Sequence, residues 1–162
     1  MNHSVFSSLV DRGYTNRLTD LQNQVAHSIT LLFLLSYTTT WHSFFDDCLA
    51  LIQKNASRRT PIEPFPAQIF LKILSTIDEE VADALYTATK HGGDQRVNTE
   101  IKDRIRLYDV RTITHFLFQV MSVFQTDPRH EDLVQQALVV IGRWIGTDPM
   151  LVELYTDLVQ LG

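Results

Sequence analysis

The cations that could contact a phosphate backbone are concentrated in one stretch of the chain, residues 95–115. Five of them lie there: Arg96, Lys102, Arg104, Arg106 and Arg111. The acids of the same stretch are Glu100, Asp103 and Asp109. Lys102 and Arg106 stand at positions i and i+4, so on a helix they share one face. Such a pair could bind phosphates, and contacts of this kind make nucleic-acid binding salt-dependent.

A solvated helix face is the alternative interpretation of this stretch. Ion pairs Glu100–Arg104 and Asp103–Arg106 would then neutralise the cations. Tyr108 is the single aromatic residue placed among them, so no platform for stacking successive bases is expected. Because the net charge of the chain is −5, any RNA binding is predicted to be weak, salt-dependent and blind to sequence.

Residue types that perform catalysis are scattered along the chain. The six histidines form no H-E-x-x-H pattern, and Cys48 is the only cysteine. The acids and the histidine of "DPRHED" (127–132) suit a helix start better than a metal site. We therefore expect no enzyme, no cofactor and no metal centre, and we expect Cys48 to be an inert buried thiol.

The composition indicates one folded domain over residues 1–162. Hydrophobic residues make up 44% and charged residues 20%, which is ordinary for a globular protein. A single cysteine suits a reducing compartment. The most apolar run, residues 29–35, is far shorter than the roughly 20 residues that a bilayer span needs, so we predict a buried helix and no membrane span.

Apolar residues recur at helical spacing along nearly the whole chain. The first stripe comprises Leu18, Leu21, Val25, Ile29 and Leu32, with Thr19 and Gln22 as a capping box. Further helices are predicted over 41–54, with Thr40 as the cap, from residue 65, over 97–107 and over 110–124. Two more are predicted after the Thr-Asp-Pro sequences at 126–128 and 147–149, where Asp can cap the helix and Pro can open it.

The spacing of these helices predicts the fold class. Helices that begin near 19, 65, 110 and 149 recur every 40–46 residues, close to the ~40–47 residues of a HEAT-type helix pair. The prediction is an all-α chain, an α-solenoid of antiparallel helix pairs that forms a HEAT-like superhelix fragment. A compact helical bundle is the competing prediction.

The stretch "YTTTWHSFFDDCLALI" (37–52) predicts a point at which helices are anchored to the core. The predicted structural anchors are Trp41, Phe44, Phe45 and Trp144. Trp41 and Phe45 are expected to pack against Ile29 and Leu32 of the preceding helix. On that interpretation, truncation of Trp41 to alanine should cost about 3–5 kcal/mol of stability.

Four ordered stretches carry a resemblance to a known family. They are "WHSFFDD" (41–47), "FLKILSTIDEEVAD" (70–83), "RVNTEIKDRIR" (96–106) and "ALVVIGRWIG" (137–146). The set resembles the nuclear export karyopherins of the importin-β superfamily, and among these most closely the tRNA exportins. His42 and Thr147 depart from the family pattern, which commonly has Pro and Trp at these places.

The resemblance implies an exportin-1-like segment of HEAT-type helices within a solenoid several-fold longer. It also implies Ran-GTP and tRNA as cooperatively bound partners of the full-length receptor, contacts with nucleoporins, and shuttling between nucleus and cytoplasm. Two alternatives stay open: a segment of another exportin, and a stand-alone helical-repeat scaffold that binds a protein partner in a groove.

Overall fold

The computed structural model describes most of the chain. The backbone is described for residues 3–54, 56–57, 60–91 and 95–147, and the side chains for 17–54, 56–57, 60–81 and 96–142. Every regular element among these residues is helical, and they contain no strand. The predicted all-α fold class is therefore confirmed.

Six α-helices and two short helical turns make up the described chain. They are α1 (His3–Ser36), α2 (Phe44–Gln53), α3 (Pro64–His91), α4 (Gln95–Arg104), a π-helical turn (Ile105–Asp109), α5 (Val110–Phe124), a 3-10 turn (Pro128–His130) and α6 (Glu131–Thr147).

The helices form two layers, as in an α-solenoid. In the first layer α1 packs on α3, and α3 packs on α6. The second layer contains α2 and α5, which contact each other, together with α4, which leads into α5. Contacts of α3 with α2 and α4, and of α6 with α5, join the two layers.

The repeat is longer than its predicted 40–46 residues. The helices predicted over 97–107 and 110–124 form one unbroken helical stretch from Gln95 to Phe124, because the π turn joins them. Equivalent first-layer helices therefore begin at Pro64 and Glu131, more than 60 residues apart. A π turn inserts an extra residue and shifts the apolar stripe, which makes one helix resemble two in the sequence.

The capping box predicted at Thr19 and Gln22 is wrong, since both residues lie inside α1. Gln22 is instead buried, and its Nε2 donates a hydrogen bond to Oε1 of Gln68 on α3 at 3.0 Å. Gln22 therefore links α1 to α3 and does not cap the start of a helix.

The buried face of α1 is displaced from the predicted stripe. Ala26, Thr30 and Phe33 are buried, whereas Leu21 and Leu32 are 52% and 55% exposed. The helix is apolar on two adjacent faces, so periodicity alone could not tell which face meets the core. The second face remains at the surface.

Helix α2 begins at Phe44 and not at Trp41, so the predicted Thr40 cap is wrong. Ser43 is the N-cap residue, and Trp41 lies in the preceding turn. The carboxylate Oδ2 of Asp47 fixes this turn, because it accepts hydrogen bonds from Nε1 of Trp41 at 2.7 Å and from Oγ of Ser43 at 2.9 Å.

Aromatic rings form the centre of the core. Phe44 and Phe45 are fully buried, while Trp41 is only half-buried and packs its ring edge-on to Phe44, with centroids 4.9 Å apart. Phe45 meets Phe33 rather than the exposed Leu32, with centroids 5.5 Å apart. The side chain of Trp144 lies outside the described residues.

The first of the two Thr-Asp-Pro sequences caps a helical turn. Asp127 is the N-cap residue and accepts the backbone N–H of Arg129 at 3.0 Å, and Pro128 opens the 3-10 turn before α6. Hydrogen bonds from Arg129 and His130 hold the pKa of Asp127 well below its usual range. The second sequence, which contains Asp148, lies outside the described residues.

Cys48 is half-buried beside the core. Burial, together with the charge of Asp47, raises the pKa of the thiol to about 12. The thiolate is the reactive form, so Cys48 is poorly suited to nucleophilic chemistry at neutral pH.

Removal of the Phe45 ring should destabilise the chain far more than removal of the Trp41 indole. Phe45→Ala is expected to lower the free energy of unfolding by about 3–5 kcal/mol, because the ring is fully buried. Trp41→Ala should cost clearly less, since the indole is half-exposed and lies in a turn. Urea titrations followed by circular dichroism measure both losses.

The control is Leu51→Ala on the same helix, where the side chain is 65% exposed and the expected change is within about 0.5 kcal/mol. Phe45→Leu provides a milder variant if Phe45→Ala does not fold. Equal losses for Trp41→Ala and Phe45→Ala would contradict the prediction.

Candidate nucleic-acid interface

The helical stretch from Gln95 to Phe124 carries all the predicted contact residues. Arg96 and Arg111 are exposed, whereas Lys102, Arg104 and Arg106 are half-buried. The stretch is held by its apolar face, on which Ile101, Ile105 and Ile113 are fully buried. The cations therefore stand on a rigid helix and not on a loop.

The cations do not lie on a single face. In an α-helix each residue turns by about 100°, so Lys102 and Arg106 share one flank while Arg104 lies nearly opposite Lys102. The structure places the guanidinium of Arg104 against two aromatic rings.

One of the two ion pairs of the alternative interpretation is present. Nη1 of Arg106 lies 3.7 Å from Oδ1 of Asp103, with the side chains 32% and 57% exposed. Exposed pairs of this kind contribute little and are screened by salt. No ion pair joins Glu100 to Arg104 within the described part of the chain.

Arg104 lies between two tyrosine rings. Its guanidinium carbon is 5.6 Å from the ring centroid of Tyr37 and 4.8 Å from that of Tyr108. A guanidinium over an aromatic face is attracted by the ring quadrupole. Tyr37 is fully buried, while Tyr108 is 66% exposed, so the stack leads from the core to the surface.

A buried hydrogen bond anchors the inner end of this stack. The hydroxyl of Tyr37 donates to Oδ2 of Asp109, the last residue of the π turn, and both residues are buried. The pKa of Asp109 is raised above its usual value, mainly by burial. The hydrogen bond from Tyr37 and the charge of Arg104 lower this pKa, and the charge of Asp46 raises it. Burial also raises the pKa of Tyr37, so its hydroxyl stays a donor.

Sequence reasoning did not identify Tyr37 and Asp109 as part of the site. They are 72 residues apart in the chain, so no local spacing relates them. The available signal was that Asp109 falls between apolar positions at helical spacing, where a carboxylate requires a buried partner.

A groove, separate from the cationic helix, lies across the first layer. Its volume is about 430 Å³, and it is lined by α1, α3 and α6, with polar side chains that include Asn23, Lys72 and Gln136 and apolar ones from Leu71 and Val139. Nζ of Lys72 donates to Oδ1 of Asn23 at 2.7 Å. Oε1 of Gln136 is buried with no hydrogen-bond partner in the described part of the chain.

The described residues contain no group of three or more His, Cys, Asp and Glu side chains that could hold a metal ion. None of the described helices is both long and apolar enough to cross a membrane.

The fold and the cationic helix together define a segment of a helical-repeat protein with a candidate phosphate-binding flank. The sequence profile of the family described as "Exportin 1-like protein" matches residues 19–159, most of the chain. The chain belongs to the exportin 1-like family. The resemblance to nuclear export karyopherins predicted from the four stretches is thereby confirmed.

Fungal proteins named Exportin-T are similar to this chain. That of Aspergillus oryzae is 32% identical over 127 residues, which cover 78% of this chain and 12% of the relative. Those of Aspergillus fumigatus and Neurospora crassa are 31% and 30% identical over similar spans. The chain thus spans about an eighth of the length of these relatives. No solved structure matches it significantly.

Replacement of Asp109 by asparagine should change how stability depends on pH. A carboxyl whose pKa is raised on folding stabilises the folded chain most at low pH, and this contribution falls as the pH rises through the folded-state pKa. Asp109→Asn removes the titration but keeps an acceptor for Tyr37. The stability of the variant relative to wild type should therefore increase as the pH rises above about 4, the ordinary pKa of an aspartate.

Urea titrations at a series of pH values from this point upward measure the difference. Asp103→Asn, an exposed position on the same helical stretch, is the control for the substitution itself. A variant that loses stability relative to wild type as the pH rises would instead indicate an ionised Asp109 stabilised by Arg104.

Proposed function

We propose that this chain is a segment of a nuclear export receptor that binds tRNA cooperatively with Ran-GTP and shuttles between nucleus and cytoplasm. The observation that carries the proposal is the similarity to proteins named Exportin-T over 78% of the chain. Passage through the pore would involve nucleoporins. The chain spans about an eighth of those relatives, so the activity belongs to the longer receptor.

Within this segment, the flank formed by Lys102 and Arg106 is the proposed contact with the RNA backbone. Both side chains are half-buried and Nε of Arg106 is fully buried, so a phosphate would have to meet the terminal nitrogens of Arg106 and Nζ of Lys102. Arg96 and Arg111, which are exposed, extend the positive charge toward the two ends of the flank. Asp103 moderates this charge through its pair with Arg106.

The electrostatics limit how much this flank can contribute alone. The net charge of −5 repels RNA at long range, and few phosphates can reach two neighbouring cations. Each such contact contributes a salt slope of about −0.7 on single strands and −0.9 on duplex. Binding by this segment would be weak, and strong binding would require further repeats and the GTPase.

We also propose that the segment stacks on a preceding helix pair of the longer receptor. The second apolar face of α1 includes Leu21, Leu32 and Leu35, which are 52%, 55% and 80% exposed. A solenoid buries such a face against the neighbouring repeat. The length of the relatives leaves ample chain for that repeat.

A second candidate function rests on the groove between α1, α3 and α6. The amide side chains of its lining, Asn23, Gln135 and Gln136, offer both donors and acceptors, as a peptide backbone requires. This feature favours a scaffold that binds an extended protein segment.

Charge reversal tests the phosphate flank. In the full-length receptor with Ran-GTP present, Lys102→Glu with Arg106→Glu should weaken tRNA binding at least tenfold at low salt and make the salt dependence shallower, because two phosphate contacts are lost. GTPase binding should be unchanged. Fluorescence anisotropy with labelled tRNA at several salt concentrations measures the effect.

Arg17→Glu with Lys54→Glu, two exposed cations outside the flank, is the matched control for charge alone. Loss of GTPase binding without loss of tRNA binding would assign the flank to the GTPase. If both interactions survive the reversal, the flank is a solvated face, and the groove becomes the better candidate.

The exposed leucine face can be tested in the isolated chain. We expect wild type to self-associate through this face, and Leu32→Lys with Leu35→Lys to yield a monomer of unchanged helicity. Sedimentation velocity over a range of concentrations measures the change. Leu51→Lys on α2 is the control and should leave association unaltered. A wild-type chain that stays monomeric at every concentration would contradict the proposal that this face stacks on a neighbouring helix pair.

A further inference from the structure

The outer end of the Tyr37–Arg104–Tyr108 stack has an aromatic face open to solvent. Arg104 occupies one face of Tyr108 at 4.8 Å, yet the tyrosine remains 66% exposed. The opposite ring face is therefore accessible. Leu107 beside it is 72% exposed, so the π turn presents two large apolar side chains to solvent.

The stack holds Tyr108 in place without burying it. Arg104 lies over both rings, and the inner ring, Tyr37, is fixed by the core and by its hydrogen bond to Asp109. An aromatic ring that is positioned beforehand loses little conformational freedom when a ligand stacks on it. π-helical turns occur frequently at functional sites.

We propose that Tyr108 stacks on one unpaired base of the bound RNA. This base would extend the stack of Tyr37, Arg104 and Tyr108 by one more planar group. The inference rests on the proposed function and deepens it. The phosphate flank supplies contacts without sequence information, and Tyr108 supplies one contact that requires a base outside a duplex. Paired bases are stacked within the helix and cannot reach the ring.

The charges around Tyr108 favour a nucleic acid over a protein as the partner. Arg104 precedes Tyr108 by one helical turn, and the exposed Arg111 follows it by three residues. Arg104 lies on the inner face of the ring with its Nε buried, so the exposed Arg111 is the guanidinium that would meet the phosphates of a base stacked on the outer face. Aromatic stacking combined with arginine is the usual means of holding single-stranded nucleic acid without reading its sequence.

The test compares two RNAs on the full-length receptor with Ran-GTP present. One is a blunt hairpin, and the other is the same hairpin with a single-stranded tail that carries 2-aminopurine at each position in turn. Tyr108→Ala should weaken binding of the tailed RNA by about 5- to 150-fold, which is the usual loss of one base–aromatic stack. Binding of the blunt hairpin should stay within twofold.

Spectroscopy separates stacking from a structural effect. In wild type, 2-aminopurine fluorescence at one tail position should be quenched on binding, and this quenching should disappear in Tyr108→Ala. Tyr108→Phe and Tyr108→Trp should preserve it, because the ring face remains. Leu107→Ala is the matched control for loss of exposed apolar area and should change neither the quenching nor the preference between the RNAs.

The outcomes distinguish this inference from the proposed function. If Lys102→Glu with Arg106→Glu weakens both RNAs while Tyr108→Ala affects neither, the phosphate flank stands and the stacking is overturned. If Tyr108→Ala weakens both RNAs equally, the tyrosine contacts no unpaired base, and the inference is overturned as well. Loss of GTPase binding in Tyr108→Ala, with both RNAs unaffected, would make this surface a protein contact instead.

Discussion

Edge-to-face packing of aromatic rings holds the two helical layers together. Tyr37 lies in the turn that follows α1, and the other rings belong to α1, α2, α3 and α5: Phe33, Phe44, Phe45, Phe70 and Phe116. Phe45 meets Phe70 with centroids 6.3 Å apart, and Phe70 meets Phe116 at 4.9 Å, so a continuous path of rings crosses from one layer to the other. Such pairs contribute about 0.5–1.5 kcal/mol each beyond the area they bury, and they fix the relative orientation of the helices.

The position of Tyr37 follows from this cluster and determines the candidate interface. Phe33 stacks on the Tyr37 ring at 4.5 Å and Phe45 meets it edge-on, so the hydroxyl has one direction left, toward Asp109. Asp109 is the last residue of the π turn, and Tyr108, which precedes it in the same turn, is exposed. A packing constraint in the core thus sets the geometry of a surface more than 60 residues further along the chain.

The sequence predicted the parts of the fold that depend on local spacing. Helices α3, α5 and α6 follow from apolar residues at a period of 3.6, and the Asp127 cap follows from its place before Pro128. The start of α2 was missed because the choice between Thr40 and Ser43 depends on where the side chain of Asp47 points. The buried face of α1 could not be predicted, because the helix carries leucines on a second face that is exposed in the structure.

The candidate site was predictable in composition but not in arrangement. The excess of cations over acids between 95 and 115 is visible in the sequence, and so is the shared face of Lys102 and Arg106. Helical spacing already places Arg104 nearly opposite Lys102, but its stacking against Tyr37, which lies in the turn after α1, could not be predicted from the sequence. Contacts between residues distant in sequence leave no periodic pattern. The sequence therefore shows which charges are present, but not that Arg104 stacks against Tyr37. In the structure Arg106 pairs with Asp103 on one flank, while Arg104 lies between the rings of Tyr37 and Tyr108 on the other.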